Sequence, residues 1–204
     1  MVGKWVVVAV LAVLGGGTVL GGQAPHGQRG SSGSSRSDAD MSALPEMSPL
    51  PAPRVAVIDK SARALGLYVD GKQIAAYPVG LGRRPEGAKL RQGDRRTPEG
   101  EYFICTRNAR SRFHRFLGLS YPEIHDAERA REEGLITERQ SAAITEAIEA
   151  GRQPPWNTPL GGAIGIHGCG AQSDWTLGCI ALDDEAMDEL WRVTKLGDPV
   201  LIVP

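Results

Sequence analysis

The chain has 204 residues and a formal net charge of −1, from 23 basic and 24 acidic side chains. This length is enough for one ordinary domain, and the balanced charge gives no strongly basic face of the kind that binds nucleic acid. Aromatic residues make up only 5% of the chain, whereas glycine (26) and proline (14) are plentiful. This composition favours short strands joined by many turns over a helical bundle.

The amino-terminal segment has the pattern of an export signal. Lys4 precedes an apolar run, and residues 5–22 carry no charge. A positive charge before a short apolar core is typical of a secretory signal peptide, although this length also lies near the lower limit of about 18 residues for a spanning helix. Residues 1–22 are therefore predicted to be a signal peptide or an amino-terminal membrane anchor. Either one would place the rest of the chain in the periplasm or cell envelope.

Residues 23–53 consist of Gly, Ser, Pro and scattered charges, without an apolar period. Such a composition is typical of a flexible linker, because it offers too little apolar surface to form a core. The folded domain is predicted to begin near Arg54 and to occupy residues 54–204.

Most of this domain has the pattern of β-strands. Asp70-Gly71 separates two apolar runs, and both residues tolerate the positive φ that a two-residue hairpin turn requires. The turn residues 97–100 lead into a further strand. The predicted strands cover residues 55–58, 65–69, 73–79, 101–106, 163–166 and 199–203.

Helical patterns interrupt the strands. Thr137 and Gln140 form a candidate capping box, a helix-spaced apolar stripe follows over residues 143–148, and Gly151 fits just past its end. A second helix is predicted over residues 184–194. Strands and helices do not alternate regularly, so the predicted fold class is mainly β with a few helical insertions.

His167 and Cys179 are the candidate catalytic pair. His167 ends an apolar strand beside a glycine, and Cys179 follows Gly178 twelve residues later. An imidazole can take the thiol proton, and the resulting imidazolium stabilises the thiolate. Backbone N–H groups around Gly178 and Cys179 could then hold a developing oxyanion. The spacing by itself leaves an inert buried thiol as the alternative.

Both residues belong to a motif that resembles the YkuD-type L,D-transpeptidase catalytic domain. The family motif is His-Gly, a spacer, then Ser or Thr, any residue, Gly and Cys, and this chain has His167-Gly168 and Thr176-Leu177-Gly178-Cys179. The resemblance extends over about residues 54–204. Further similar segments are Gly93-Asp94 and residues 97–102, 111–114, 119–122, 154–156 and 160–162.

The resemblance implies a β-sandwich-like domain that acts on peptidoglycan stem peptides without a metal or an organic cofactor. Cys179 would attack the carbonyl between the third stem residue, commonly meso-diaminopimelate, and the terminal D-alanine, with His167 as general base and acid. An amine would then resolve the thioester, forming a cross-link or an anchor. Gly168 would orient the imidazole through its backbone carbonyl. Gly178 and Cys179 would supply oxyanion donors, and Thr176 would brace the loop.

Two positions depart from the family pattern. Leu177 stands where many members have histidine, and Ala181 stands where they often carry arginine. That arginine could hold a substrate carboxylate, so substrate binding is the property that these departures leave open. Lys89, Arg91 and Arg112 are the candidate substitutes.

Three functions are compatible with the motif: an L,D-transpeptidase, an L,D-carboxypeptidase in which water resolves the thioester, and a non-catalytic cell-wall-binding module. The expected partners are peptidoglycan stem peptides. The sequence predicts no nucleic-acid partner, and membrane contact only through the amino-terminal segment.

The other two cysteines have less informative surroundings. Cys169 is an inert neighbour, a redox partner of Cys179, or a metal ligand. His167, Cys169 and Cys179 offer three ligands where structural zinc normally needs four, so no metal site is predicted. Cys105 lies in a strand pattern and is predicted to belong to the core.

Several further residues have an ordinary structural explanation. His114 is predicted to lie in a solvated basic loop, with a substrate-facing wall as the family-based alternative. Trp156 and Trp175 are expected to pack near the motif. The charged run 126–133 is interpreted as a solvated helix face, with His125 at the surface.

Overall fold

The computed structural model describes residues 54–204. The predicted signal or anchor (1–22) and the linker (23–53) lie outside the described residues. Within 54–204, no helix is long and apolar enough to cross a bilayer.

The strands are β1 (Arg54–Asp59), β2 (Ala64–Val69), β3 (Lys72–Pro78), β4 (Gly100–Ser111), β5 (His114–Leu119), β6 (Gly165–His167), β7 (Ile180–Ala181) and β8 (Pro199–Val203). The helices are α1 (Ile124–Glu132), α2 (Glu138–Glu149) and α3 (Asp184–Val193). The predicted mainly β fold is confirmed.

The eight strands form a sheet that curls on itself. Neighbouring strands follow the order β3-β2-β1-β8-β4-β5-β6-β7. The first residues of β4 pair with β8 and its later residues pair with β5, so this long strand joins the two halves of the sheet. Bridges from Gly80 to Ala181 and from Gly82 to Thr176 bring the segment after β3 against β7 and the loop before it. The two ends of the strand order therefore meet.

The main core fills the inside of this curled sheet and the inner face of α3. β2 buries Leu65 and Leu67 at alternate positions, as a strand with one buried face does. From α3, Met187 and Leu190 are fully buried in the same cluster, three residues apart on one face of the helix. Removal of these side chains from water supplies the main free energy that holds the site's supporting strands together.

The predicted hairpin and the predicted capping box are both confirmed. β2 and β3 pair antiparallel on either side of Asp70 and Gly71, whose φ angles are +50° and +73°. At the start of α2, Gln140 N–H donates to Thr137 Oγ1 (3.2 Å) and Thr137 N–H donates to Gln140 Oε1 (2.9 Å). Both the turn and the helix cap are formed by residues close in sequence, so the local pattern was sufficient to predict them.

The prediction for the charged run 126–133 is wrong at one residue. Asp126 is only 4% exposed, because it lies on the inner face of α1 beside the buried Ala127 and Ala130. Its carboxylate accepts a hydrogen bond from the Glu123 N–H (3.0 Å). The acidic side chain therefore caps the helix from inside the protein, while His125 is exposed as predicted.

Candidate active site

Paired strands bring the candidate catalytic residues to one edge of the sheet. His167 is the last residue of β6 and Cys179 immediately precedes β7. These strands run parallel, with His167 opposite Ala181, so Cys179 lies two residues before the partner of His167. Both side chains line a cleft of about 1180 Å³.

His167 is buried and held in one tautomer. Its side chain is 2% exposed, and Nδ1 lies 2.7 Å from the carbonyl oxygen of Gly168. Since a carbonyl only accepts, Nδ1 carries the proton and Nε2 keeps a free lone pair. Phe113 stacks on the imidazole at 4.8 Å between ring centroids, and Trp175 meets it edge-on at 5.5 Å. Burial lowers the pKa of His167 below its usual value, with a smaller opposing effect of the Gly168 carbonyl.

Gly168 is a glycine because its surroundings leave no room for a side chain. A Cβ there would lie 2.3 Å from Asp184 Oδ1 and 2.9 Å from His114 Cβ. The same Asp184 oxygen accepts the N–H of Cys169 (2.8 Å), and Gly168 N–H donates to the carbonyl of Phe113 (3.0 Å). The loop after His167 is thus fixed both by the start of α3 and by the turn between β4 and β5.

The loop before Cys179 is braced by Thr176. Thr176 Oγ1 donates to the Cys179 carbonyl (2.7 Å) and accepts the N–H of Gly178 (3.0 Å). Gly178 has φ of +136°, and a Cβ there would lie 2.6 Å from the Arg96 carbonyl oxygen, so only glycine fits. The Gly178 N–H, predicted as an oxyanion donor, donates to Thr176 Oγ1 in this structure. The backbone N–H of Cys179 is the second predicted donor.

Cys179 is partly exposed, and its surroundings favour the protonated thiol over the thiolate. Burial raises the pKa of the Cys179 thiol, and the Gly165 backbone N–H and the charge of Lys89 partly offset this effect. The hydrogen bond of Sγ goes to the Ala163 carbonyl at 3.6 Å. Within residues 54–204, no direct hydrogen bond joins Sγ to His167. Such bonds are often long before substrate binds.

The cleft contains several cations and no acidic lining residue. Of the three predicted substitute cations, Lys89 and Arg112 line it and Arg91 does not. Lys89 is 3% exposed and pairs with Asp94 at 2.7 Å, whereas the Arg112 guanidinium lies over the ring of Phe113 at 4.7 Å. Three further arginines that no sequence motif indicated also line the cleft: Arg83, Arg95 and Arg110.

The two positions that depart from the family pattern differ in their surroundings. Leu177 is 68% exposed and lines the cleft, whereas Ala181 is fully buried. Ala181 exchanges two backbone hydrogen bonds with Gly80, at 2.9 and 2.8 Å. Because Ala181 is fully buried, an arginine side chain at this position would require its neighbours to move.

The remaining candidates lie outside the cleft or at its wall. All three cysteines are free; Cys169 is exposed and is not among the lining residues. Cys105 is half-buried, and burial raises the pKa of its thiol to about 12. His114 contacts Asp188 of α3 through Nε2 (2.6 Å) and is not among the residues that line the cleft. In the described part of the chain, no group of three or more His, Cys, Asp or Glu side chains could hold a metal ion. Trp156 and Trp175 both line the cleft.

The comparison with protein families decides the assignment. The model of the YkuD L,D-transpeptidase catalytic domain matches residues 53–202. The chain belongs to this family. No curated protein matches the sequence.

Solved structures show the same fold at low sequence identity. The domain is similar to the helical cell shape determining protein Pgp2 of Campylobacter jejuni (20% identity, TM-score 0.51), covering 74% of this chain and 47% of that one. It is also similar to Bd1075 of Bdellovibrio bacteriovorus (20% identity, TM-score 0.50), covering 74% of this chain and 48% of that one. This chain spans less than two thirds of each of these solved chains.

Proposed function

We propose that this L,D-transpeptidase-family domain transfers acyl groups between peptidoglycan stem peptides through a thioester at Cys179. The observation that carries the proposal is the pairing of β6 with β7, which holds His167 and Cys179 at the edge of one cleft. The amino-terminal pattern and the family both favour a location in the periplasm or cell envelope.

In the acylation step, His167 Nε2 takes the proton of the Cys179 thiol as Sγ attacks the carbonyl before the terminal D-alanine. The carbonyl π electrons move to oxygen, and the Cys179 N–H is the candidate donor to this oxyanion. When the tetrahedral intermediate collapses, the C–N bond breaks and the imidazolium returns its proton to the departing amine. D-alanine leaves and the acyl group remains on Sγ.

In the second step, an amine acceptor loses a proton to the neutral His167 as its nitrogen attacks the thioester. The C–S bond breaks, Sγ leaves with the bonding electron pair, and the imidazolium reprotonates it. The enzyme returns to its starting state with a new amide bond formed. Water in place of the amine would give the carboxypeptidase reaction.

The directions of the pKa shifts of Cys179 and His167 agree with a proton transfer that accompanies the attack of Sγ. Burial raises the pKa of the Cys179 thiol and lowers the pKa of His167, so the resting pair is neutral. A neutral thiol is a weak nucleophile, which makes the proton transfer to His167 part of the attack itself. The hydrogen bond from Nδ1 to the Gly168 carbonyl keeps Nε2 available as the base.

The test is intact-mass measurement of the reduced chain after incubation with a carbapenem, whose strained lactam opens on attack and leaves the acyl group attached. We expect one adduct in the wild type and in Cys169→Ala, and none in Cys179→Ala. Incubation with a tetrapeptide donor and an added amine then separates the functions. Incorporation of the amine supports the transferase, and D-alanine release without incorporation supports the carboxypeptidase. The absence of any adduct, with a Cys179 thiol that still reacts with iodoacetamide, would indicate a binding module.

A further inference from the structure

Four arginines around the cleft have no acidic partner. All four are exposed, and no carboxylate of residues 54–204 pairs with any of them. Lys89, in contrast, is buried and neutralised by Asp94. The net charge of the whole chain is only −1, so the positive charge of the cleft is a local concentration. The four, called here the arginine rim, are Arg83, Arg95, Arg110 and Arg112.

The arginine rim is built from two separate parts of the fold. Arg83 and Arg95 lie on the segment between β3 and β4, whereas Arg110 and Arg112 lie at the end of β4 and in the turn that follows it. Cations from both segments line the same cleft. A ligand between them would therefore meet positive charge from more than one direction.

Two arginines of the rim contact Phe113 and Trp175, the two aromatic residues that surround His167. Arg83 Nε donates to the Trp175 carbonyl (3.1 Å), and the Arg112 guanidinium lies over Phe113 (4.7 Å). Phe113 and Trp175 are the two rings in contact with the imidazole. Arg83 and Arg112 are thus each in contact with a residue that itself contacts the imidazole of His167.

Like charges gathered in a cleft repel one another, and a bound anion relieves that repulsion. Guanidinium groups present paired N–H donors that match the two oxygens of a carboxylate. The ligand that fits this cleft therefore carries carboxylates. Because Ala181 is buried and cannot hold a substrate carboxylate, the rim is the part of this chain with the required charge.

We propose that the arginine rim selects donor stems that carry a free carboxylate in addition to that of the terminal D-alanine, and discriminates against their amidated forms. This inference rests on the proposed function. In a stem whose third residue is meso-diaminopimelate, the side-chain carboxylate is the group in question. Its carboxamide has nearly the same shape without the charge, and lysine lacks the group altogether.

The experiment measures binding in Cys179→Ala, which cannot turn the donor over. Two tetrapeptides are compared by titration at low salt, one with a free diaminopimelate carboxylate and one with the carboxamide. We expect the free acid to bind about 5- to 10-fold more tightly, the size typical of a few charge-assisted contacts in a partly dry cleft. The difference should shrink at high salt, because exposed charges are screened over about 10 Å at 0.1 M salt.

The variant pair Arg83→Gln and Arg112→Gln, made together in Cys179→Ala, should abolish most of this preference. Arg139→Gln is the matched control, because Arg139 is also exposed but lies on α2, away from the cleft. Equal affinities for the acid and the amide in the parent variant would overturn the inference. So would a preference that the rim variants leave intact.

A turnover measurement separates this inference from the proposed function. Release of D-alanine by the wild type at equal efficiency from both peptides would leave the acyl transfer standing and overturn the charge selection. Tight, charge-dependent binding without any release of D-alanine would support the arginine rim while removing the catalytic proposal.

Discussion

The surroundings of His167 favour its neutral form, which the proposed mechanism uses as the base. Phe113 and Trp175 cover the imidazole with aromatic surface, and the only polar group that is within hydrogen-bond distance of it in residues 54–204 is the Gly168 carbonyl. An apolar cover disfavours the charged imidazolium, so burial lowers the pKa of His167. The neutral form of His167 is therefore favoured down to a lower pH than in an exposed histidine.

Phe113→Ala should move the acid limb of the acylation rate to higher pH. In the proposed mechanism the neutral imidazole is the active form, so the rate should fall as pH decreases through the pKa of His167. In the wild type this limb is expected below 6.5, the usual pKa of histidine. Water admitted by the smaller side chain would stabilise the imidazolium and raise that pKa. The measurement is the rate of carbapenem adduct formation from pH 5 to pH 8.

Phe113→Tyr is the matched control for this prediction, because it keeps an aromatic face on the imidazole. Its profile should coincide with that of the wild type. A lower rate in Phe113→Ala with no change in the acid limb would mean that Phe113 only shapes the cleft.

At the scale of elements, the start of α1 places two acidic groups in a poorly hydrated position. Glu123 precedes the helix and is contacted by Ser120 Oγ, while Asp126 is 4% exposed on the inner face. Burial raises the pKa of Glu123 to about 7, and it also raises the pKa of Asp126. The folded protein therefore holds protons that the unfolded chain would release.

The contribution of Glu123 to the free energy of unfolding should fall as pH rises from 5 to 8, whereas His167, whose pKa burial lowers, contributes in the opposite sense. Unfolded glutamate ionises near pH 4.5, whereas the pKa of folded Glu123 is about 7, so the stabilisation present below pH 4.5 is lost as pH rises through 7. The slope should approach about 1.4 kcal/mol per pH unit for one group. Urea unfolding at several pH values measures it.

Glu123→Gln should remove this contribution to the pH dependence, and the remainder would come from other shifted groups such as Asp126 and His167. Glu132→Gln on the same helix is the control, because Glu132 is 72% exposed and should leave the slope as in the wild type. A slope that is identical in Glu123→Gln and the wild type would contradict the role of Glu123.

At the scale of the whole molecule, the curled sheet is closed by contacts next to the site. Asp174, just before the loop of Cys179, accepts hydrogen bonds from the Leu81 N–H (2.9 Å) and from the Arg63 side chain (2.8 Å). Leu81 follows β3, and Arg63 precedes β2. One carboxylate thus ties the start of the fold to the loop that carries Cys179.

Asp174→Ala should lower the free energy of unfolding by about 1–3 kcal/mol. The change leaves the backbone N–H of the buried Leu81 and the side chain of Arg63 without their acceptor. It should also slow adduct formation at Cys179, since the loop loses an anchor. Glu146→Ala is the control: its pair with Arg152 is 61–79% exposed, and removing it should change stability by less than about 0.5 kcal/mol. Urea unfolding measures the first effect and intact mass the second. Equal effects of both variants would contradict the closing role of Asp174.

Those features that depend on neighbours in the chain could be predicted from the sequence. The hairpin at Asp70-Gly71 follows from the φ angles that these residues allow, and the start of α2 follows from the reciprocal Thr137–Gln140 bonds. The last strand, β8, was predicted with its observed limits because its apolar run is continuous. The motif that contains His167 and Cys179 was sufficient to indicate the family.

The tertiary structure decided which distant groups share a partner. β5 and β7 escaped prediction, because β7 has two residues and β5 is defined mainly by its pairing with β4 and β6. The burial of Asp126, the use of the Gly178 N–H by Thr176 and the meeting of four arginines in one cleft have the same origin. A local pattern indicates which conformations a segment allows. The hydrogen-bond partners, the burial and the charged neighbours of a residue depend on contacts between distant segments, and these contacts form only when the sheet curls.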